Sequence, residues 1–105
     1  MKTTIRVSDV LHTGAITGRH SGRVIRESVV AALASSPVVA VDFAGVELLT
    51  QSAADEFIGR LVRQHADIVA RVSFSNCTRD VAGMLQWAAE HANSAFQAEG
   101  DMVEA

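Results

Sequence analysis

Six residues behind the chain's only proline set the terms for its fold. Val38-Val39-Ala40-Val41-Asp42-Phe43 is a nearly continuous apolar run, entered from Ser35-Ser36-Pro37 and left through Ala44-Gly45. Proline lacks the N–H donor and its ring blocks a continuing helix, so the preceding segment ends here. A short apolar run bounded by turn residues is the pattern of a strand covered on both faces, as in the middle of a parallel sheet. Asp42 is the one charge within it. Amphipathic segments flank the run on both sides. From Ser21, Val24, Ile25, Ser28, Val29, Ala32 and Leu33 recur at helical spacing, with Arg23, Arg26 and Glu27 opposite. After the run, Ala54, Phe57, Ile58, Leu61, Val62 and His65 share one helical face, and Asp55, Glu56, Arg60, Arg63 and Gln64 the other.

The same alternation of elements extends outwards. Thr3 to Val7 alternates as a half-buried strand does, and Asp9 to His20 reads as a loop with a short second strand around Ala15 and Ile16. Val69 to Ser75 is a further strand. Asn76, Cys77 and Thr78 then lead into a helix with Val81, Met84, Leu85, Ala88 and Ala89 on its apolar face and an Asn or Thr to cap it. Phe96 belongs to a last edge strand or a packing tail, and Gly100 to Ala105 to a frayed end.

The expected architecture is therefore a single α/β domain over residues 1–105, with 1–16 as N-terminal strand and loop and 94–105 as edge strand and tail. Its sheet is mixed or mainly parallel, of about four strands flanked by helices that begin near Ser21, Ser52 and Arg79. Val39, Val41, Phe57, Leu61, Val72 and Leu85 are the expected core. Sites in such sheets gather at the carboxyl ends of the strands, here the loops Ala44 to Ser52 and Asn76 to Arg79.

Charge and composition exclude several classes. The chain sets 9 Lys and Arg against 12 Asp and Glu, a net charge of −3. Lys2 is its one lysine, so a general affinity for nucleic acid has no source beyond the local group Arg19, Arg23 and Arg26. The longest apolar run, Val29 to Ala34, is six residues, far below the ~20 that span a bilayer. Neither a membrane segment nor a cleaved signal peptide is expected. A single Cys points to a reducing compartment, and the cytoplasm is the expected location.

Catalytic motifs are sparse. No glycine-rich segment precedes a lysine as a phosphate-cradling loop requires, and Gly14, Gly18 and Gly22 do not follow a strand in the dinucleotide pattern. His12, His20, His65 and His91 are scattered without metal-site spacing, and His65 reads as a packed residue. Cys77 follows a strand, near the top of the sheet, but a small buried hydrophobe is favoured over a nucleophile. Ser52 lacks the flanking glycines of a nucleophile elbow. With Asp55 three positions on, it reads instead as a capping box. A phosphate on its hydroxyl would face helix-start N–H groups. No catalytic residue, metal or cofactor is expected.

The stretch from Val38 through Asp42-Phe43-Ala44-Gly45-Val46-Glu47-Leu48-Leu49-Thr50-Gln51-Ser52-Ala53-Ala54-Asp55-Glu56-Phe57 resembles the central strand, loop and helix of STAS domains, the fold of bacterial anti-sigma-factor antagonists. It looks closest to the STAS-like domain family of unknown function. Gly18-Arg19 with Ser21-Gly22-Arg23, and Phe74-Ser75-Asn76-Cys77-Thr78 leading to Val81, look like that family's first helix entry and third strand. The resemblance spans about Thr17 to Ala89. It implies a non-catalytic signalling or protein-interaction module, with Ser52 at the position that a partner anti-sigma kinase phosphorylates in the antagonists. The antagonists' usual Asp-Ser-Ser-Gly-Leu is Thr50-Gln51-Ser52-Ala53-Ala54 here. The implied partner is an ATP-binding anti-sigma or histidine-kinase-like protein, met by Arg19, Arg23, Asp42, Glu47, Thr50, Gln51, Asp55, Glu56, Arg60, Asn76 and Thr78. The competing readings are a small-molecule or nucleotide-binding regulatory module and, third, a small hydrolase.

Overall fold

In the structure, a computed structural model describing residues 2–104 and the side chains of residues 2–92, Val38–Asp42 forms the central strand of a three-stranded parallel sheet. In chain order the elements are β1 (Lys2–Arg6), α1 (Val7–Leu11), β2 (Ala15–Ile16), α2 (Gly18–Leu33), β3 (Val38–Asp42), β4 (Leu48–Leu49), α3 (Gln51–Ala54), a π-helical turn (Asp55–Gly59), α4 (Arg60–Gln64), α5 (Ala66–Val69), β5 (Val72–Ser75) and α6 (Arg79–Glu104). The strand order is β1-β3-β5. β1 pairs with β3 from Lys2 opposite Val38 to Arg6 opposite Asp42, and β5 pairs from Val39 opposite Val72 to Asp42 opposite Ser75. Because β3 has a neighbour on each side and helices over its faces, Val39, Ala40, Val41 and Asp42 are all buried.

A second, two-stranded parallel sheet decides where the helices start. β2 and β4 pair as Ala15 with Leu48 and Ile16 with Leu49. Each strand is followed by a threonine and then a helix, so the starts of α2 and α3 are held side by side. Two bonds lock them: Thr50 N–H donates to Ile16 O at 3.0 Å, and Gly18 N–H donates to Thr50 Oγ1 at 3.3 Å. Gly18 sits at φ +79°, a conformation that costs a side-chain-bearing residue steric strain. The core between sheet and helices contains Ile16, Ile25, Val29, Val39, Val41, Phe43, Phe57 and Leu61, all without solvent exposure.

Five strands in two sheets replace the expected four, because β4 lies within what reads as a connection. Val7 to Leu11 forms α1 rather than strand end and loop; this helix is too short to display a periodicity and ends at His12 in the left-handed conformation. α2 begins at Gly18, three residues before Ser21. Val69 ends α5, and the last strand starts at Val72. Val72 is half-buried rather than core, since β5 is an edge strand. The backbone of α6 runs through to Glu104 where an edge strand or packing tail and then a frayed end were expected, consistent with the helix-favouring Ala, Gln and Glu of that stretch; the Phe96 side chain lies outside the described residues. Arg71 ties the lower end together, donating to Leu33 O, Ser36 O and Pro37 O at 2.8–2.9 Å.

Phe57→Ala and Leu61→Ala are each expected to cost about 2–5 kcal/mol, the usual toll of a large cavity in a packed core. Val72→Ala should cost less than either. Urea midpoints for the three variants check this, and equal losses at all three would contradict the edge position of β5.

Candidate functional site

Where α2 crosses the helix that begins at α3, two glycines and a wide turn bring six charged side chains together. Gly22 faces the crossing: a Cβ there would collide with Ala53 O and stand 3.0 Å from Glu56 Cβ. The missing side chain lets the two backbones approach, and Arg19 and Arg26, flanking Gly22 on one stripe of α2, reach across. In the π-helical turn the Arg60 N–H donates to Asp55 O, five residues back. Arg26 Nη1 donates to Glu56 O, so a guanidinium serves a carbonyl of the widened turn.

Glu56 is the centre of this cluster and only 6% exposed. Its Oε2 accepts from Arg26 Nη1 at 2.7 Å and its Oε1 from Arg19 Nη1 at 3.3 Å. Arg60 Nε lies 3.0 Å from Oε2, an ion pair by distance, but its N–H is not aligned on any acceptor. Asp55 accepts from Arg19 and from Arg63, each at 3.0 Å. The Asp55–Arg63 pair spans eight residues and passes over Gly59, whose Cβ would stand 2.6 Å from Asp55 Oδ1.

These contacts set the protonation of the acids. Burial alone would raise the Glu56 pKa. The hydrogen bond from Arg26, the charge of Arg60 and the hydrogen bond from Arg19 outweigh it and hold the carboxyl below its ordinary range. Asp55 is held low in the same way, burial being overcome by the bonds from Arg63 and Arg19. In turn, the bond to Asp55 chiefly raises the pKa of Arg19. Guanidinium groups do not give up protons near neutrality, so the arginines of the cluster keep their charge and its carboxyls stay ionised beside them.

Other residues singled out in the sequence lie elsewhere. Asp42, at the end of β3, accepts from Asn76 Nδ2 at 2.9 Å and from Ala44 N at 2.8 Å, and its Oδ2 pairs with Arg6 Nε at 3.3 Å. Its pKa is lowered, first by the Asn76 bond and then by the Ala44 N–H, against burial. Asn76 occupies the left-handed region, φ 55°. This trio ties the carboxyl ends of the three long strands to one another. Thr78 caps α6 by accepting from Val81 N at 3.1 Å. Glu47 and Gln51 are exposed. His65 ends α4, half-buried. Cys77 lines an apolar cavity of about 340 Å³ with Phe74 and Leu85, and burial, then the charge of Asp42, push its thiol pKa up, the opposite of an activated nucleophile.

The capping-box reading of Ser52 is corrected. Thr50 is the N-cap of α3, its side chain accepting from Ala53 N at 3.4 Å, while Asp55 turns away to Arg19 and Arg63. Ser52 Oγ lies 3.4 Å from Thr50 Oγ1. The reason is the chain path out of β4: it leaves Thr50 extended, at φ −75° and ψ 159°, and Gln51 already helical. The group Arg19, Arg23, Asp55, Glu56 and Arg60 is brought together, whereas Asp42, Asn76 and Thr78 serve the other loop. Sequence reasoning missed Arg26 and Arg63 as members, having assigned them to helix faces turned from the core. The available signal was glycine inside a helical pattern, Gly22 and Gly59, which marks close approach.

A family model described as a STAS-like domain of unknown function (DUF4325) matches residues 21–82, more than half the chain. The chain belongs to this STAS-like family. The match includes β3, β4, the π-helical turn and β5, hence Ser52, Asp55, Glu56, Arg60 and Arg63. No curated protein and no solved structure matches the chain. Among the described residues of this STAS-like domain, no helix is long and apolar enough to cross a membrane, and no three His, Cys, Asp or Glu side chains gather as metal ligands.

Because Asp42, Asp55 and Glu56 all titrate low when folded, the unfolded chain takes up protons first as pH falls. Their contribution is present above the unfolded carboxylate range, about 4, and is lost progressively below it. Urea midpoints should therefore drop between about pH 6 and pH 3. Glu56→Gln is expected to lose about 1–3 kcal/mol at neutral pH, leaving Arg26 without its anion, and to narrow that acid-induced drop. An unchanged pH dependence in Glu56→Gln would contradict this assignment.

Proposed function

We propose that this STAS-like domain is a non-catalytic signalling module of the bacterial cytoplasm that binds a protein partner, and that the hydroxyl of Ser52 is its phosphorylation switch. The observation that carries the reading is the division of labour at the start of α3. Thr50 caps the helix, so Ser52, half-buried beside it, is released from a capping duty. A phosphate on Ser52 would add close to two negative charges at the start of a helical segment, where backbone N–H groups favour them. Asp55, one turn on, is already neutralised by Arg19 and Arg63. A partner fitted to the neutral hydroxyl would meet repulsion and a desolvation cost. The resemblance to anti-sigma-factor antagonists makes an ATP-binding, histidine-kinase-like protein the expected partner, docking on the face that presents Arg19, Arg23, Gln51, Ser52 and Arg60.

Two kinds of variant separate switch from structure. Thr50→Ala should cost about 0.5–2 kcal/mol, the range for a lost N-cap. Ser52→Ala should cost less and retain the partner. Ser52→Asp should stay folded but release it, and protein recovered from its native host should carry phosphate on Ser52 by tandem mass spectrometry. Partner capture that merely follows thermal stability across these variants, or the absence of phosphate from Ser52, would overturn the reading.

A further inference from the structure

The charge of the chain is distributed against its average. The whole carries 12 acidic and 9 basic residues, yet five of those basic residues, Arg19, Arg23, Arg26, Arg60 and Arg63, meet at the α2 crossing with only three carboxylates, Glu27, Asp55 and Glu56. Between them opens a pocket of about 370 Å³ lined by Arg19, His20, Arg23, Glu56 and Arg60. It is a half-open cleft at the surface rather than an enclosed cavity. Every lining side chain is polar or charged.

The donors of this pocket are largely unspent. Each guanidinium carries five N–H groups. Arg19 commits Nη1 to Asp55 and Glu56; Arg23 holds Glu27 at 4.0 Å and contacts His20 Nδ1 through Nη2 at 3.1 Å; Arg60 stands beside Glu56 through its buried Nε, so its terminal nitrogens are the donors on offer. With Nδ1 accepting from Arg23, His20 carries its hydrogen on Nε2, a further donor. Glu56 lies at the base, and Arg26 from behind and Arg19 occupy its two oxygens. It holds Arg19 by a hydrogen bond and Arg60 by charge, while Arg26 offsets its own negative charge. Planar guanidinium forks suit a tetrahedral oxyanion, which several N–H donors can grip at once.

We propose that Arg19, His20, Arg23 and Arg60 form a binding site for the phosphoryl group of a small, polar phosphate compound. The site presents guanidinium and imidazole donors to phosphoryl oxygens and has no Phe, Tyr or Trp in its lining to grip a nucleobase. It is separate from the Ser52 hydroxyl, and its occupancy needs neither a protein partner nor phosphorylation.

Pyrophosphate is the direct probe, titrated into the full chain at constant ionic strength and followed by calorimetry and by the Nε–H resonances of the arginines. Saturable binding with Kd below about 1 mM is expected, with the Arg23 and Arg60 resonances moving. Arg23→Gln is the clean variant, since Arg23 makes only exposed contacts; its Kd should rise about tenfold, as befits a charged hydrogen-bond donor lost. ATP, GTP and CTP should bind within about threefold of one another, and adenosine should not bind, because recognition rests on phosphate. Three results would overturn the proposal: no saturable response, an equal response in the Arg23→Gln Arg60→Gln double variant, or strong selection among the three bases.

Discussion

A carboxylate withdrawn from water has to be compensated by its neighbours, and the compensation of Glu56 organises this domain. Taking an ion of this size out of solvent costs several kcal/mol even after relaxation. Three guanidiniums from two helices surround it, Arg26 at 2.7 Å, Arg60 at 3.0 Å and Arg19 at 3.3 Å. For Arg26 and Arg19 to reach, α2 has to lie against the helix that carries Glu56, which Gly22 permits by having no Cβ. For Glu56 and its neighbour Asp55 both to face arginines, the helix opens into a π turn, and Gly59 clears the path from Asp55 to Arg63. The small β2–β4 sheet fixes the two helix starts at the distance this network needs.

The parts of the fold legible in the sequence are those in which one local pattern dominates. Pro37 followed by Val38-Val39-Ala40-Val41 admits little but a buried strand, and Ile25, Val29 and Leu33 mark the buried stripe of α2. α1 and β4 left no such mark, at five and two residues, because a period needs several repeats to show. Val72 looks like core by residue type and is half-buried by topology, which depends on β5 having a partner on one side only.

The charged cluster was legible in outline and not in its wiring. Periodicity assigns polar residues to the helix face away from the core, and on that basis Arg26 and Arg63 read as solvated. Both are largely covered, with side chains 14% and 19% exposed, because a second helix packs over that face. Likewise Ser52 has the residue type and spacing of a cap, but the pairing of β4 with β2 advances the helix start and passes the task to Thr50. For Arg26 and for the helix start, the deciding fact is a contact between segments thirty or more residues apart in sequence. The outcome is a STAS-like domain in which Asp55 and Glu56 tie together arginines from both sides of the Gly22 crossing.

The most direct measurement of this organisation is the coupling between Arg26 and Glu56 in a double-mutant cycle, with Arg26→Met and Glu56→Gln made singly and together and stability read from urea unfolding. A partly buried, hydrogen-bonded pair that organises the crossing predicts a coupling of at least about 1.5 kcal/mol. A coupling below about 0.5 kcal/mol, as exposed surface pairs show, would contradict the account.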